Sequence, residues 1–154
     1  MTNSFIRQAI ELACANVGRM GGPFGALVVK DDIVIATGAN QVTRTNDPTA
    51  HAEVVAIREA CRILGSYQLT GCELYASCEP CPMCLGAIFW ARPSRVFFAA
   101  THDDATAAGF DDSFIYRQID LPHAQRSIPM THLVDELSTR PFELWVSRPD
   151  RIEY

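Results

Sequence analysis

Apolar residues recur at helical spacing near the start of the chain. Phe5, Ala9, Leu12, Ala13 and Val17 share one face, with Arg7, Gln8 and Glu11 on others, so residues 4–17 are predicted to form an amphipathic helix. Gly18, Gly21, Gly22 and Pro23 then break it. Two β-rich runs, residues 26–29 and 33–36, flank Asp31-Asp32 and predict a hairpin. Residues 49–64 predict a second helix, with Val54, Ile57, Cys61 and Leu64 inward and Asp47-Pro48 as its start signal. A strand over 73–78, a helix from Pro82 to about Ala91 and a strand over 95–100 follow. Beyond residue 101 the pattern is less regular: Asp103-Asp104 and Asp111-Asp112 flank a Gly-Phe turn, and the tail holds short segments, one around Phe142, Leu144 and Trp145. Strands alternating with helices predict an α/β layered domain with a mixed sheet.

The chain has 154 residues, 48% hydrophobic and 20% charged, which suits one compact domain with a real core. Its longest apolar run, residues 85–91, is far too short to span a bilayer. The first residues lack a basic region followed by an apolar one, so a cytoplasmic location is expected. Six cysteines in a hydrophobic chain of this size point to metal binding rather than a disulfide scaffold. A net charge of −5 and a single lysine, Lys30, argue against a protein that tracks phosphates, and no nucleic-acid or membrane partner is expected.

The chemistry gathers in His51-Ala52-Glu53 and Pro80-Cys81-Pro82-Met83-Cys84. His51, Cys81 and Cys84 supply three ligands, leaving Glu53 beside a fourth, open position, which is the composition of a catalytic zinc site. His-x-Glu with Pro-Cys-x-x-Cys is the signature of the zinc-dependent nucleobase deaminases. A helix starting at Pro82 puts Cys81 at its N-cap and Cys84 in its first turn, where the helix end favours thiolates. His51 and Glu53 are expected in the first turns of the other helix. Two thiolates and a neutral imidazole balance the charge of Zn²⁺, so a nearby base must help deprotonate a bound water, and Glu53 is placed to do so.

Other readings of the same residues are concrete. Cys78, Cys81 and Cys84 match the start of an iron–sulfur run, but its fourth position falls on Ile88. A closed structural site with Cys78 as fourth ligand leaves Glu53 without a purpose. Cys14, Cys61 and Cys72 are read as small buried hydrophobes, and His102, His123 and His132 as surface residues.

At this point the chain resembles the cytidine deaminase superfamily, and within it the bacterial guanine deaminases. The resemblance runs through residues 22–26, 46–53, 77–88 and 109–116 and the terminal Glu153-Tyr154. The first three stretches are common to the superfamily, including the tRNA adenosine deaminases; the fourth and the terminal pair discriminate. It implies a three-layer α/β/α sandwich around a five-stranded mixed sheet. It also implies one zinc ion per subunit and a homodimer in which residues from about 128 to 154 are exchanged. The implied reaction is deamination of guanine to xanthine and ammonia. Zinc-bound hydroxide attacks C2, and Glu53 carries protons.

By the same resemblance Asn40 hydrogen-bonds the base and Asp112 accepts from a purine ring N–H. Phe24 and Trp90 line the ring, Ala52 adjoins the base between ligand and shuttle, and Tyr154 enters from the tail. Asn40 serves equally as a turn residue, and Asp112 as a helix N-cap. Glu79 and Glu143 are weaker candidates for a second proton relay. The competing functions are a tRNA adenosine deaminase, which would need a basic surface, and a zinc-stabilised interaction protein without catalysis.

Overall fold

The computed structural model describes residues 4–154 and divides into two compact units, one ending at Asp112 and the other spanning Ser113–Tyr154. In the first unit the elements run α1 (Ser4–Val17), β1 (Gly25–Lys30), β2 (Ile33–Ala39), α2 (Val42–Thr45), α3 (Ala52–Leu64), β3 (Cys72–Cys78), α4 (Pro82–Ala91), β4 (Arg95–Ala100) and α5 (His102–Ala107). The strand order is β2-β1-β3-β4. β1 pairs antiparallel with both β2 and β3, whereas β3 and β4 are parallel and joined through α4. The hairpin turn forms as the sequence predicts, with Asp31 and Asp32 both at positive φ (50° and 60°), a conformation that short acidic side chains tolerate in tight turns.

Alternation along the central strands builds two cores. Ala26, Val28, Leu74 and Ala76 face Ala52, Ala56, Ile57 and Ala60 of α3 and Ile88 and Ala91 of α4. Leu27, Val29 and Tyr75 face the other way, onto Ala9 of α1 with Phe5, Leu12 and Phe97 around them. Tyr75 stacks on Phe97 with ring centroids 4.8 Å apart and touches Phe5 at 5.3 Å. The result is the expected three-layer α/β/α arrangement.

Three expectations need correction. The sheet has four strands and not five: among the described residues the chain after β4 forms helices and loops. Phe142, Trp145 and Val146 instead recur at helical spacing within a helix, Arg140–Ser147. The second helix starts at Ala52 rather than near residue 49, because Asp47 closes a turn of its own. Its Oδ1 accepts from the Thr49 N–H at 2.8 Å and from the Thr49 hydroxyl at 2.7 Å. Finally, Cys72 is buried, but Cys61 is only partly covered and Cys14 is exposed.

The second unit carries α6 (Ser113–Ile119), a 3-10 turn (His123–Gln125) and α7 (Arg140–Ser147). Neither of its α-helices buries a residue. Val134 is 87% exposed, Phe142 70% and Val146 65%. Local polar contacts order it, such as Arg126 donating to the Leu121 and Ile119 carbonyls.

Close approach of α3 to the sheet depends on Gly38 in β2: a Cβ there would lie 2.1 Å from the Ala52 carbonyl oxygen and 2.5 Å from the Ala56 nitrogen. Backbone atoms cannot move aside as a side-chain tip can. Gly38→Ala is expected to destabilise the fold by about 1–3 kcal/mol in chemical denaturation, the usual range for overpacking; an unchanged midpoint would mean that α3 is free to shift outward.

Candidate metal centre and active site

His51 and Cys81 are the N-cap residues of α3 and α4, both in extended backbone conformation, and neither side chain caps its helix. The chain turns helical immediately afterwards: Val55 N–H donates to the His51 carbonyl at 2.9 Å and Leu85 N–H to that of Cys81 at 2.8 Å. The side chains are thereby left to point at one spot. The Sγ atoms of Cys81 and Cys84 each lie 3.5 Å from His51 Nδ1. A tetrahedral zinc ion, with bonds of about 2.3 Å to sulfur and about 2.0–2.1 Å to nitrogen, holds such atoms about 3.6 Å apart. The donor set therefore fits that metal in chemistry and in spacing. Pro82 at the first position of α4 needs no N–H partner there and fixes the bend after Cys81.

Cys78 is not part of this cluster. It is buried, its Sγ lies 3.7 Å from the Thr101 carbonyl oxygen as a thiol donor, and burial pushes its pKa up to about 11. Neither the closed four-ligand site nor the iron–sulfur run is assembled.

Electrostatics follow from the packing of the ligands. A hydrogen bond from Cys84 holds Cys81 well below the ordinary thiol range, while the same bond and burial raise Cys84. The Cys81 thiolate raises His51 above its usual value. Glu53, at 7% exposure, is raised by burial, as suits a carboxylate that must both take and return a proton near neutral pH. The N-terminal ends of α3 and α4 add partial positive charge beside these anionic groups.

His51 and Cys81 of this cluster line a cavity of about 550 Å³ in the first unit. Among the predicted residues, Phe24, Asn40, His51, Glu53, Glu79, Cys81 and Asp112 line it. Asn40 follows directly on β2, and its Oδ1 accepts from the Val42 N–H at 3.2 Å. Asp112 lies 2.5 Å from His102 Nδ1, and burial raises its pKa despite that neighbour. Ala52 is buried at 1% exposure between the ligand and Glu53.

Other predicted residues fall elsewhere. Glu79 Oε2 accepts from the His102 backbone N–H at 3.0 Å, so part of its carboxylate is committed to the start of α5. Trp90 lies on α4 at 64% exposure and is not part of the lining. Glu143 accepts from Thr139 and Arg140 within its own helical turn, and Tyr154 packs edge-on against Trp145 at 6.4 Å, both inside the second unit.

Several lining residues were not foreseen, among them His102 and Phe110. His102, expected on the surface, lines the cavity at the end of β4; the signal was its place just past the end of a parallel strand, where α/β sheets collect their sites. Phe110 meets Phe24 edge-on, with centroids 5.0 Å apart, and forms an aromatic wall.

A histidine and two cysteines meeting at two helix starts, with a buried glutamate beside them in a sheet-end cavity, define the class. The chain belongs to the cytidine and deoxycytidylate deaminase zinc-binding family, whose model matches residues 1–100. In particular, it is 57% identical over 152 residues to guanine deaminase of Bacillus subtilis, covering 98% of this chain and 97% of that protein. The crystal structure of that enzyme superposes with a TM-score of 0.97 at 56% identity, over 100% of this chain and 99% of the other. Guanine deaminase from Nitrosomonas europaea matches with a TM-score of 0.68 and 37% identity, over 70% of this chain and 63% of that one. A tRNA-specific adenosine deaminase of Aquifex aeolicus is 49% identical over 96 residues, 62% of this chain and 64% of its own length.

Protons and a metal compete for the same three atoms. Zinc affinity, measured against a chromophoric chelator, is expected to weaken as the pH falls. The decline should set in above the ordinary histidine value of about 6.5, because His51 is raised. Cys84→Ser should leave purified protein with little zinc by elemental analysis.

Proposed function

We propose that this protein is a zinc-dependent guanine deaminase that hydrolyses guanine to xanthine and ammonia. One observation carries the reading: the cavity joins a zinc-type donor set to a buried carboxylate, a free amide donor and a carboxylate acceptor. Its lining holds Glu53, Glu79, Asp111 and Asp112 and no lysine or arginine. Guanine offers a ring carbonyl and ring N–H groups, which Asn40 Nδ2 and Asp112 complement. Phe24 and Phe110 provide the apolar wall for the purine plane. The full-length identity to the Bacillus subtilis enzyme supports the same substrate.

His51, Cys81 and Cys84 would hold one zinc ion per subunit, whose Lewis acidity would activate a water for attack. Glu53 takes a proton from the attacking water and passes it to the ring nitrogen beside C2. It then takes the proton of the new C2 hydroxyl and gives it to the amine as the C2–N bond breaks, so that guanine and water leave as xanthine and ammonia. This scheme needs no second relay. Glu79 instead steadies α5 and the His102–Asp112 pair, and Glu143 belongs to α7.

We further propose that residues 1–154 act as one functional domain in a homodimer with exchanged C-terminal segments. Most large apolar side chains of residues 113–154 stay exposed, and a segment of that size gains little stability alone. In the dimer, Tyr154 of one subunit closes the partner's cavity. The zinc-held thiolates and unpaired cysteines suit the reducing cytoplasm, where we place the enzyme.

The tRNA adenosine deaminase reading keeps the same reaction but needs cations around the opening for the RNA backbone. Acidic lining disfavours it. No helix among the described residues is long and apolar enough to cross a membrane.

Ammonia release from guanine, adenine, cytosine and a tRNA anticodon stem separates the readings. Guanine alone is expected to react; turnover confined to the RNA would reverse the assignment. Glu53→Ala should lower kcat by about 10²–10⁴-fold while zinc content stays full, and unchanged turnover would remove Glu53 from the mechanism. In sedimentation the protein should run as a dimer, and deletion of residues 128–154 should leave monomers or insoluble chains; a soluble dimer after deletion would exclude the exchange.

A further inference from the structure

We propose that Asn16 is a positioning residue for substrate selection: it fixes the loop that aims the Asn40 amide as a donor into the cavity. The proposal rests on the guanine reading above and adds the device by which the carbonyl of the base is recognised.

Asn16 lies on the inner face of α1 with Ala9 and Ala13, at 3% exposure. A buried asparagine on an otherwise apolar face needs partners for its polar atoms. Both hydrogens of its amide are used. Nδ2 donates to the Gly22 carbonyl at 2.8 Å and to the Asn40 carbonyl at 2.9 Å. Its own backbone carbonyl accepts from Gly21 N–H at 2.9 Å. One side chain thus ties the glycine loop after α1 to the residue that follows β2, 24 positions further on.

Asn40 is thereby held from three directions. Its N–H donates to the Phe24 carbonyl at 3.1 Å, and its carbonyl accepts from Asn16. Its side-chain Oδ1 accepts from the Val42 N–H at 3.2 Å. A backbone N–H can only donate, so the oxygen of the amide faces Val42 and Nδ2 remains for the ligand. A donor at that place donates to a 6-carbonyl oxygen and finds no acceptor in a 6-amino group, which is the difference between a 6-oxopurine and a 6-aminopurine.

The two glycines leave room for this arrangement. A Cβ at Gly21 would lie 2.3 Å from Asn16 Nδ2, and one at Gly22 would lie 2.9 Å from Asn40 Cγ and 3.0 Å from its Oδ1. Gly22 therefore offers a way to displace the Asn40 amide while Asn16 stays intact.

The experiment compares guanine with 2-aminopurine, which carries the same 2-amino group and lacks the 6-oxo group. Asn16→Leu removes the donors at similar size. It is expected to raise KM for guanine about tenfold, the worth of one hydrogen bond, with kcat and zinc content largely kept. Binding of the aminopurine, read as its KM or as its Ki where it is not turned over, should not move. In an Asn40→Ala background the Asn16→Leu effect should vanish, since residues acting through one contact are not additive. Should Asn16→Leu fail to fold, Gly22→Ala must give the same guanine-specific loss. Equal weakening of both ligands, a full effect of Asn16→Leu without the Asn40 amide, or an unchanged guanine KM in Gly22→Ala would each overturn the proposal. Wild-type enzyme that releases no ammonia from guanine would instead sink the underlying reading, a result visible before any variant is made.

Discussion

The meeting of two helix N-termini at one point is the constraint on which the rest depends. An N-cap side chain ordinarily satisfies the first free N–H groups of its helix. His51 and Cys81 do not, and their side chains turn to a shared centre instead. The uncapped ends present partial positive charge to thiolates and to any anionic oxygen that develops there. The axis of α3 is fixed by its contact with the sheet at Gly38, and that of α4 by Ile88 and Ala91 in the same core. The precision of the metal site is thus inherited from packing well behind it.

Burial divides the labour among the carboxylates. Glu53 is enclosed and held toward its protonated form, which suits proton transfer. Glu79 is tied to a backbone N–H, and Asp112 stands beside His102 as an acceptor. Similar side chains a few ångströms apart take different roles because their surroundings differ, and composition alone does not separate them.

The ligands and the rest of the cavity lining come from overlapping parts of the chain. Residues 1–100, the stretch matched by the family model, hold the ligands and Glu53. The tRNA-specific relative aligns over 96 residues, and the Bacillus subtilis guanine deaminase over 152. Asp112 and the tail lie beyond the stretch that the family model matches. Asn40 and Phe24 lie within it, so the cavity lining draws on residues from both sides of that boundary.

The sequence by itself determined the layered fold and the reaction. Helical and strand periods act over a few residues, so α1, the Asp31-Asp32 hairpin, β4 and the Pro82 helix start were legible at once. The ligand spacing was equally local. Only the tertiary structure decided the rest. His102 joins Asp112 because β4 ends where the cavity opens, and Asn16 reaches Asn40 across 24 residues because α1 packs on the sheet beside it. The start of α3 shifted because the Asp47 side chain found a nearer partner in Thr49 than in the helix. Such pairings depend on distances between elements, and no period or spacing along the chain encodes them.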